Sequence, residues 1–330
     1  MNKLVLAAKI SKYIGLTKLC YFLNRNKKRV VAYHNVIPDE IWDNTFHLSH
    51  SMRLSSFKKQ VEVLQKRFPI DLDIDNKKTA VITFDDGYMN QCTVASKYMD
   101  EKNIKGYFFC VGSLINEKRI FPIDLIQFWV SYVKGGRYKI IENIDVLISD
   151  NRKKSFDELE NLFVTNKISV ENLLRRLNEL VSFESLIEKN KEMYILRFQG
   201  IETKMIEQMQ RKGHKIGAHS YNHKRLVTLS KSELEEDIKI CSELRESIYN
   251  TDIFCYPFGD IKDINEAVID NLKKYKFKKA FAYRNSPLKD GQYNDYFLPR
   301  IFLHDTDDED LIDFTLSGAK HFIRFLRLLP

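Results

Sequence analysis

Seven short apolar segments recur along the 330-residue chain, and each one ends in polar residues. Runs of this length predict buried strands of a sheet. Helical stretches lie between most of them, so the alternation predicts an α/β fold with a parallel sheet. Because polar residues collect at nearly every carboxyl end, we favour a β/α barrel over an open sheet. The seven runs are residues 30–33, 80–84, 107–111, 216–218, 253–256, 280–283 and 297–303.

Apolar periodicity between these runs predicts helices over residues 90–102, 202–212, 232–249 and 264–275, the third opened by a Ser232–Glu235 capping box. Residues 113–198 break the alternation and indicate mostly helix, so we interpret them as a helical insertion in the barrel. Insertions after barrel strands tend to cover the catalytic face. We therefore expect Trp129 or a neighbouring aromatic residue to face the functional site.

The excess of positive over negative charge in the chain is confined to its first 29 residues. The net charge is +8, and residues 1–29 hold eight Lys and Arg and no acid, so residues 30–330 sum to zero. A nucleic-acid binder usually spreads cations over a folded face, so nucleic acid is not an expected partner. Cations interleaved with apolar residues indicate either a helix at a membrane surface or a solvated basic helix.

The same segment bears on organisation and compartment. Its longest apolar run, residues 4–8, is too short to cross a bilayer, and the features of a signal peptide are missing. We divide the chain into a basic amphipathic segment, residues 1–29, and a barrel, residues 30–330. We expect a cytoplasmic protein, with peripheral contact to the inner membrane surface through residues 1–29 as an open alternative. Five widely spaced cysteines indicate neither a disulfide framework nor a cysteine-ligated zinc site.

Two adjacent carboxyl groups, Asp85 and Asp86, follow the second predicted strand and precede Gly87. Two buried carboxylates repel each other when nothing neutralises them. Such a pair persists when a metal ion neutralises one and the other is free to handle protons. Taken alone, the Asp-Asp-Gly sequence is also an ordinary turn.

Two imidazoles, His219 and His223, follow the fourth predicted strand at a spacing of four residues. On a helical turn this spacing puts both rings on one face, as in other two-histidine metal sites, although a lone pair is often a surface feature. One Asp with two His gives three ligands and leaves a position open, the pattern of a catalytic Zn²⁺-type site. Serine-hydrolase, P-loop, dinucleotide-binding and zincin motifs do not occur.

The order of these motifs resembles the polysaccharide deacetylase family, the NodB-homology carbohydrate esterases. The motifs are TFDDG at residues 83–87, HSYNH at 219–223, CYPFG at 255–259 and a late Leu303-His304. The segments YHNV at residues 33–36 and LPRI at 298–301 are similar to a bacterial subgroup with a YHxV start. The resemblance covers roughly residues 30–112 and 199–305, and it implies a deformed (β/α)₇ barrel.

The resemblance also implies roles for individual residues. Asp86, His219 and His223 would bind a divalent metal ion, with Zn²⁺ favoured, and Asp85 would be the general base. The main-chain N–H of Phe258 would stabilise the oxyanion, and His304 would protonate the leaving group. The arginine that is frequent in the family at the start of CYPFG, where it would hold the catalytic Asp, is Cys255 here, and Arg300 is our candidate substitute for it. His34 either lines the site or makes a structural hydrogen bond at its strand end, and His50 is expected to be structural or exposed.

This resemblance implies a metal-dependent hydrolase that removes an acetyl group from an acetylated sugar. The expected partner is an acetylated glycan or lipid-linked sugar, an intermediate of cell-envelope polysaccharide synthesis. The sugar, its N-acetyl, O-acetyl or formyl group and the oligomeric state all stay open. The alternative is a catalytically silent barrel that only binds carbohydrate, although the intact Asp pair and His pair argue against it.

Overall fold

The structure is a computed structural model that describes residues 3–42, 46–76, 78–117, 121–283 and 294–326. Its strands are β1 (Arg29–Tyr33), β2 (Asn35–Ile37), β3 (Ser51–Arg53), β4 (Ala80–Phe84), β5 (Tyr107–Cys110), β6 (Gly136–Ile141), β7 (Ile144–Ile148), β8 (Lys215–Ala218), β9 (Ile253–Cys255), β10 (Lys279–Phe281) and β11 (Ile301–Phe302). Its helices are α1 (Lys3–Tyr13), α2 (Leu16–Leu23), α3 (Leu54–Arg67), α4 (Lys97–Glu101), α5 (Pro122–Tyr132), α6 (Arg152–Val164), α7 (Val170–Leu180), α8 (Phe183–Lys189), α9 (Lys191–Phe198), α10 (Thr203–Arg211), α11 (Lys231–Glu243), α12 (Glu266–Lys274), α13 (Glu309–Leu316) and α14 (Ala319–Phe325).

A seven-stranded sheet in the order β10-β9-β8-β5-β4-β1-β11 forms the centre of the fold, and every pairing in it is parallel. These seven strands are the seven predicted runs. The last segment joins the two sides of the sheet, since Leu298 bridges to Phe281 of β10 while Ile301 pairs with Val31 of β1. The sheet therefore curls on itself, and the prediction of a deformed (β/α)₇ barrel is confirmed.

Burial on both faces explains why the strands are continuous apolar runs rather than alternating ones. All five residues of β1 and all five of β4 are buried. On the outer face of the sheet the rings of Phe84 and Phe108 stack at 4.6 Å, and Tyr33 packs on Phe84 at 5.5 Å. Helices α3, α10, α11, α12 and α13 cover the outer face with apolar residues of the same core.

Residues 113–198 differ from the prediction of helix alone. Helices α5 to α9 are present, but β6 and β7 form an antiparallel hairpin where Gly136 begins a strand rather than a loop. This region has its own apolar core, and Trp129 lies in it with no exposed surface. The indole N–H of Trp129 donates to the carbonyl of Val181 at 3.1 Å. The expectation that Trp129 faces the functional site is therefore wrong, because its side of α5 packs inward. The alternative of a neighbouring aromatic residue fits Phe121, just before α5, whose ring lies 4.6 Å from that of His223.

The helices between the strands match their predictions with small shifts. The segment predicted over residues 90–102 is a π-helical turn at residues 91–96 followed by α4. The capping box of α11 is formed by Ser230 and Glu233 instead of Ser232 and Glu235. Both pairs fit the same pattern, and Glu235 instead accepts from Lys274 and Tyr275 on the neighbouring α12 side.

The basic segment forms two helices that pack on α13 and α14 through Ala8 and Cys20. Two of its eight cations are not available to solvent, because Lys28 and Arg29 are buried. The guanidinium of Arg29 donates to the carbonyls of Leu316 and Asn24, and burial lowers its pKa to about 10. Across the described part of the chain, no helix has both the length and the apolar character needed to span a bilayer.

Candidate metal and catalytic site

The turn after β4 is shaped by two consecutive residues with left-handed backbone. Asp86 and Gly87 both have a φ of 76°. A Cβ atom on Gly87 would lie 3.0 Å from the Cβ of Cys110 on β5, so only glycine fits there. The chain thus turns sharply enough to keep both Asp85 and Asp86 buried at the carboxyl end of the sheet.

The loop after β8 is held from outside by one carboxylate. Asp237 on α11 accepts from the main-chain N–H groups of Tyr221 and Asn222, at 2.9 and 3.0 Å. The hydroxyl of Ser220 accepts from the N–H of His223 at 2.8 Å. These three bonds fix the backbone of the loop that carries both imidazoles.

Backbone strain is concentrated around the same place. Non-glycine residues seldom adopt a left-handed backbone, and such residues cluster at functional sites. In the described residues there are nine, and four of them surround this site: Asp86, Ser220, His223 and Phe258.

The metal-ligand prediction names three side chains that the structure brings together. Asp86 Oδ1 lies 3.5 Å from His219 Nε2 and 3.4 Å from His223 Nε2. Ligand atoms about 2.0–2.2 Å from one ion in a tetrahedral arrangement are about 3.4 Å apart. His219 also has the second contact that metal-binding histidines need, because its Nδ1 faces the carbonyl of Cys255 at 2.9 Å. The three residues therefore fit a divalent metal ion.

The electrostatics of this cluster favour a cation between its members. Burial raises the pKa of Asp86, yet the two imidazoles beside it hold that pKa well below its usual range. The pKa of His219 is raised despite burial, since Cys255, Asp85 and Asp86 all stabilise its charged form. A metal ion would supply the positive charge that protons supply in its absence.

Asp85 has a different environment, dominated by Arg300. The guanidinium donates to both carboxylate oxygens at 2.7 Å, and it also contacts the Thr83 hydroxyl at 3.2 Å. Burial opposes ionisation of Asp85, but the charge of Arg300 outweighs it and lowers the pKa to about 2. Arg300 thus supplies a guanidinium to Asp85, as expected for the substitute of the arginine that Cys255 replaces.

Asp85, His219 and Cys255 form a second group with metal-ligand spacing. Its members suit a metal less well than Asp86, His219 and His223 do. Both oxygens of Asp85 already accept from Arg300. Burial raises the pKa of the Cys255 thiol, which disfavours the thiolate that a metal requires.

Phe258 lies in the turn after β9 with a φ of 62°. Its half-exposed ring is 5.2 Å from that of His223 and sits under the guanidinium of Arg225 at 4.1 Å. None of the hydrogen bonds among the described residues uses the main-chain N–H of Phe258. That N–H remains available to a ligand beside the metal cluster.

His304 is not brought to this cluster. His304 keeps an exposed surface, and partial burial followed by the charge of Lys320 lowers its pKa, against the hydrogen bond of the Ser49 main chain, which raises it. The imidazole found beside Asp85 is that of His34, with Nε2 at 3.7 Å from Asp85 Oδ2. Sequence reasoning had named His34 only as a residue that could equally be structural.

A second polar group near the site was missed from the sequence. His50 was expected to be structural or exposed, yet its ring lies 6.0 Å from that of His34. Its Nε2 is 3.8 Å from Asp124 Oδ1 on α5, and the Tyr88 hydroxyl donates to the other Asp124 oxygen at 2.8 Å. Burial raises the pKa of Asp124 to about 8 and lowers that of His50 to about 4. No motif joins these residues, which come from three separate elements.

A family model described as polysaccharide deacetylase matches residues 73–145 and 162–280, which is more than half of the chain. The matched ranges contain the Asp pair, the His pair and Phe258. Arg300 and His304 lie beyond them. A comparison with curated proteins by sequence finds no match.

Solved structures with the same fold include the deacetylase PplD of Streptococcus pyogenes in complex with acetate, at 13% identity and a TM-score of 0.54 over 88% of this chain and 98% of that one. IcaB from Ammonifex degensii is 14% identical, with a TM-score of 0.54 over 88% and 97% of the two chains. A de-N-acetylase from Aggregatibacter actinomycetemcomitans is 15% identical, with a TM-score of 0.52 over 86% and 96%. These identities establish a shared fold. Because the family model covers more than half of its length, the chain belongs to the polysaccharide deacetylase family.

Proposed function

We propose that this protein is a metal-dependent hydrolase that removes the acetyl group from acetylated sugar units of a glycan. The observation that carries the proposal is the pairing of two differently equipped carboxylates at one strand end. Asp86 meets two imidazoles at metal-ligand spacing, and Asp85 beside it is held ionised by Arg300. A barrel that only binds carbohydrate has no need of either arrangement.

Asp86, His219 and His223 would hold the ion, and their nitrogen and oxygen donors suit Zn²⁺. When bound, such an ion polarises the acyl oxygen and makes water a stronger nucleophile at neutral pH. Asp85 accepts the proton that the attacking water loses. The bidentate contact with Arg300 fixes the orientation of its carboxylate for that transfer and keeps it ionised.

The main-chain N–H of Phe258 donates to the oxygen that becomes negatively charged in the tetrahedral intermediate. A main-chain donor depends on the turn rather than on the side chain. Phenylalanine at this position is therefore compatible with the role.

The leaving group needs a proton, and two histidines are candidates. His34 lies 3.7 Å from Asp85 and is 18% exposed, so it borders the reacting centre and is open to a ligand. His304 lies among Ser49, Lys320 and Arg324. We therefore assign protonation of the leaving amine or alkoxide to His34 first, with His304 as the second candidate.

The substrate class is an acetylated polysaccharide or lipid-linked sugar of cell-envelope synthesis. Family membership supports acetylated polysaccharide in general. One structural relative was solved with acetate, the product of hydrolysis of either an N-acetyl or an O-acetyl group, and another is named a de-N-acetylase. The second name supports an N-acetyl group as the first choice.

The test is to measure bound metal in the purified protein together with acetate release from a panel of N-acetylated and O-acetylated oligosaccharides. We expect about one divalent ion per chain and acetate release that a chelator abolishes and Zn²⁺ restores. A chain that binds the oligosaccharides and the metal but releases no acetate from any of them would overturn the proposal.

A further inference from the structure

The outer faces of α1 and α2 carry an unusual density of exposed apolar side chains. Fourteen large apolar side chains are exposed in the described residues, and seven of them lie within residues 6–23. Two more, Phe322 and Leu326, lie on or directly after α14, which packs against α2. The seven, which we call the outer helical face, are Leu6, Ile10, Tyr13, Ile14, Leu19, Phe22 and Leu23.

Scattered exposed apolar residues need no explanation, whereas a contiguous patch indicates an interaction surface. Here the spacing is that of one helix side. Leu6, Ile10 and Tyr13 follow at intervals of four and three residues, opposite the buried Ala8 and Ser11. On α2 the exposed Leu19, Phe22 and Leu23 lie opposite the buried Thr17 and Cys20.

The inner faces of these two helices are firmly attached, so the outer face is held in place. The hydroxyls of Ser11 and Thr17 bond at 2.8 Å across the turn that Gly15 makes between the helices. Tyr21 donates to Asp313 of α13 at 2.8 Å. The helices therefore already bury one side against the barrel, and their apolar outer side is additional to that contact.

Positive charge surrounds the outer helical face. Residues 1–29 contain no acid. Five of their cations are exposed: Lys3, Lys9, Lys12, Lys18 and Arg25. Beside α2 lies a cavity of about 800 Å³ whose lining holds five cations and two carboxylates. The cations in that lining are Lys12, Lys18, Arg25, Arg67 and Lys78, and the carboxylates are Asp310 and Asp313.

We infer that the outer helical face binds an anionic membrane surface, with its apolar side chains in the interface and phosphate headgroups against the flanking cations. Two arguments select this partner. An apolar stripe bordered by cations is the composition of helices that lie in a membrane interface. A second copy of the chain would place the same cations against each other, and a nucleic acid would leave the apolar stripe in water.

The direct test is sedimentation of the full chain with vesicles. We expect binding to vesicles of phosphatidylcholine with one third phosphatidylglycerol, little binding to pure phosphatidylcholine, and partial release in 1 M salt, where charges are screened beyond about 3 Å. Inorganic phosphate at 10 mM should not release the protein, since the apolar contacts need a bilayer. Equal binding to both vesicles, no binding to either, or release by phosphate would overturn the inference.

Variants on exposed positions make the test specific without deleting the segment, whose inner side belongs to the fold. Lys3→Glu/Lys9→Glu/Lys18→Glu should lower the affinity for anionic vesicles at least tenfold. Ile10→Ser/Ile14→Ser/Phe22→Ser should abolish the binding that survives 1 M salt.

The control for the charge variant is Lys134→Glu/Lys191→Glu/Lys204→Glu, at exposed lysines elsewhere on the surface. The control for the apolar variant is Leu147→Ser/Val164→Ser, at two other exposed apolar positions. Both control variants should bind vesicles like the unaltered chain, and all variants should keep acetate release from soluble substrate. Equal loss of binding in controls and test variants would contradict the inference, and so would an apolar variant that only converts a dimer to a monomer.

Discussion

Two buried carboxyl groups near the candidate site have pKa values shifted in opposite directions. Asp85, at the end of β4, has a pKa lowered to about 2. Asp124, on α5 where the insertion meets the barrel, has a pKa raised to about 8. Burial acts in the same direction on both, by disfavouring the charged form.

The partner explains the difference. Asp85 receives two bonds from a guanidinium, whereas the bonded partner of Asp124 is the Tyr88 hydroxyl, and its other oxygen faces His50 without a hydrogen bond. Of these two carboxyl groups, only the one bonded to a guanidinium has a lowered pKa. Asp85 is therefore better suited than Asp124 to the base role proposed above.

The largest effect is expected from Asp86→Ala, which removes the carboxylate that faces both imidazoles. We expect loss of bound metal and of measurable acetate release together, as for His219→Ala and His223→Ala. The measurements are metal content and turnover, with the exposed Asp157→Ala as the matched control. An Asp86→Ala protein that keeps stoichiometric metal would contradict the ligand assignment.

Asp85→Asn removes the base while it leaves the metal ligands in place. We expect bound metal to be retained and kcat to fall by about 10²–10⁴-fold, the usual contribution of general-base catalysis. Retained turnover in a metal-loaded variant would show that Asp85 is not the base.

Arg300→Met makes Asp85 resemble Asp124 by taking away its cation. Removing one partner of a buried ion pair costs about 3–5 kcal/mol of stability, so we expect a large drop in denaturant midpoint and lower activity. Because Arg300 lowers the pKa of Asp85, its stabilising effect is present above about pH 4 and is lost as the pH falls towards 2.

The double variant Asp85→Asn/Arg300→Met is the matched control, since it leaves no unpaired buried carboxylate. It should recover much of the lost stability without recovering activity. Simple addition of the two single effects would mean that the pair does not act as a unit.

His34→Asn separates the two candidate acids, His34 and His304. A poor leaving group such as a sugar amine needs a proton, whereas an activated aryl oxide does not. We therefore expect a loss of about 10²-fold or more on N-acetylated sugar and a much smaller loss on an aryl acetate. His304→Asn, measured in parallel, should change both rates little, and the reverse pattern would return the role to His304.

Asp124→Asn should have the smallest effect on activity and a clear effect on the pH dependence of stability. Because its pKa is raised in the folded chain, Asp124 does not lower the free energy of unfolding below about pH 4. It lowers that free energy increasingly as the pH rises from about 4 to about 8. The stability of the variant relative to the unaltered chain should thus increase with pH, by up to about 1.4 kcal/mol per unit. The clearest window is pH 6.5–8, because His50 has already lost its proton there.

The sequence was sufficient for the barrel because each strand lies in a short, mostly apolar run. The insertion is different, because β6 and β7 alternate between buried and exposed residues around a turn at Glu142-Asn143. That alternation is a strand signal that the helical interpretation overlooked. The Ser232 capping box failed for another reason, since Ser230 offers the same pattern two residues earlier.

The functional residues divide in the same way. Asp85, Asp86, His219 and His223 lie in short motifs whose spacing already indicates their chemistry. His50 and Asp124 are 74 positions apart in the numbering and come from a loop and an inserted helix, so only the folded chain brings them together. The exposed position of His304 could not be read from a motif either, because the Leu303-His304 pair marks a strand end and not the direction of the ring.

The segment at residues 298–302 both joins the two sides of the sheet and carries Arg300. Arg300 is synthesised 215 residues after the carboxylate that it neutralises. At about 5–20 residues per second, this separation corresponds to roughly 10–40 seconds on the ribosome. A nascent chain that has already made its Asp pair and His pair thus still lacks the guanidinium that orients Asp85. Under the proposed mechanism, Asp85 is oriented as a base only once the last strand of the barrel is in place.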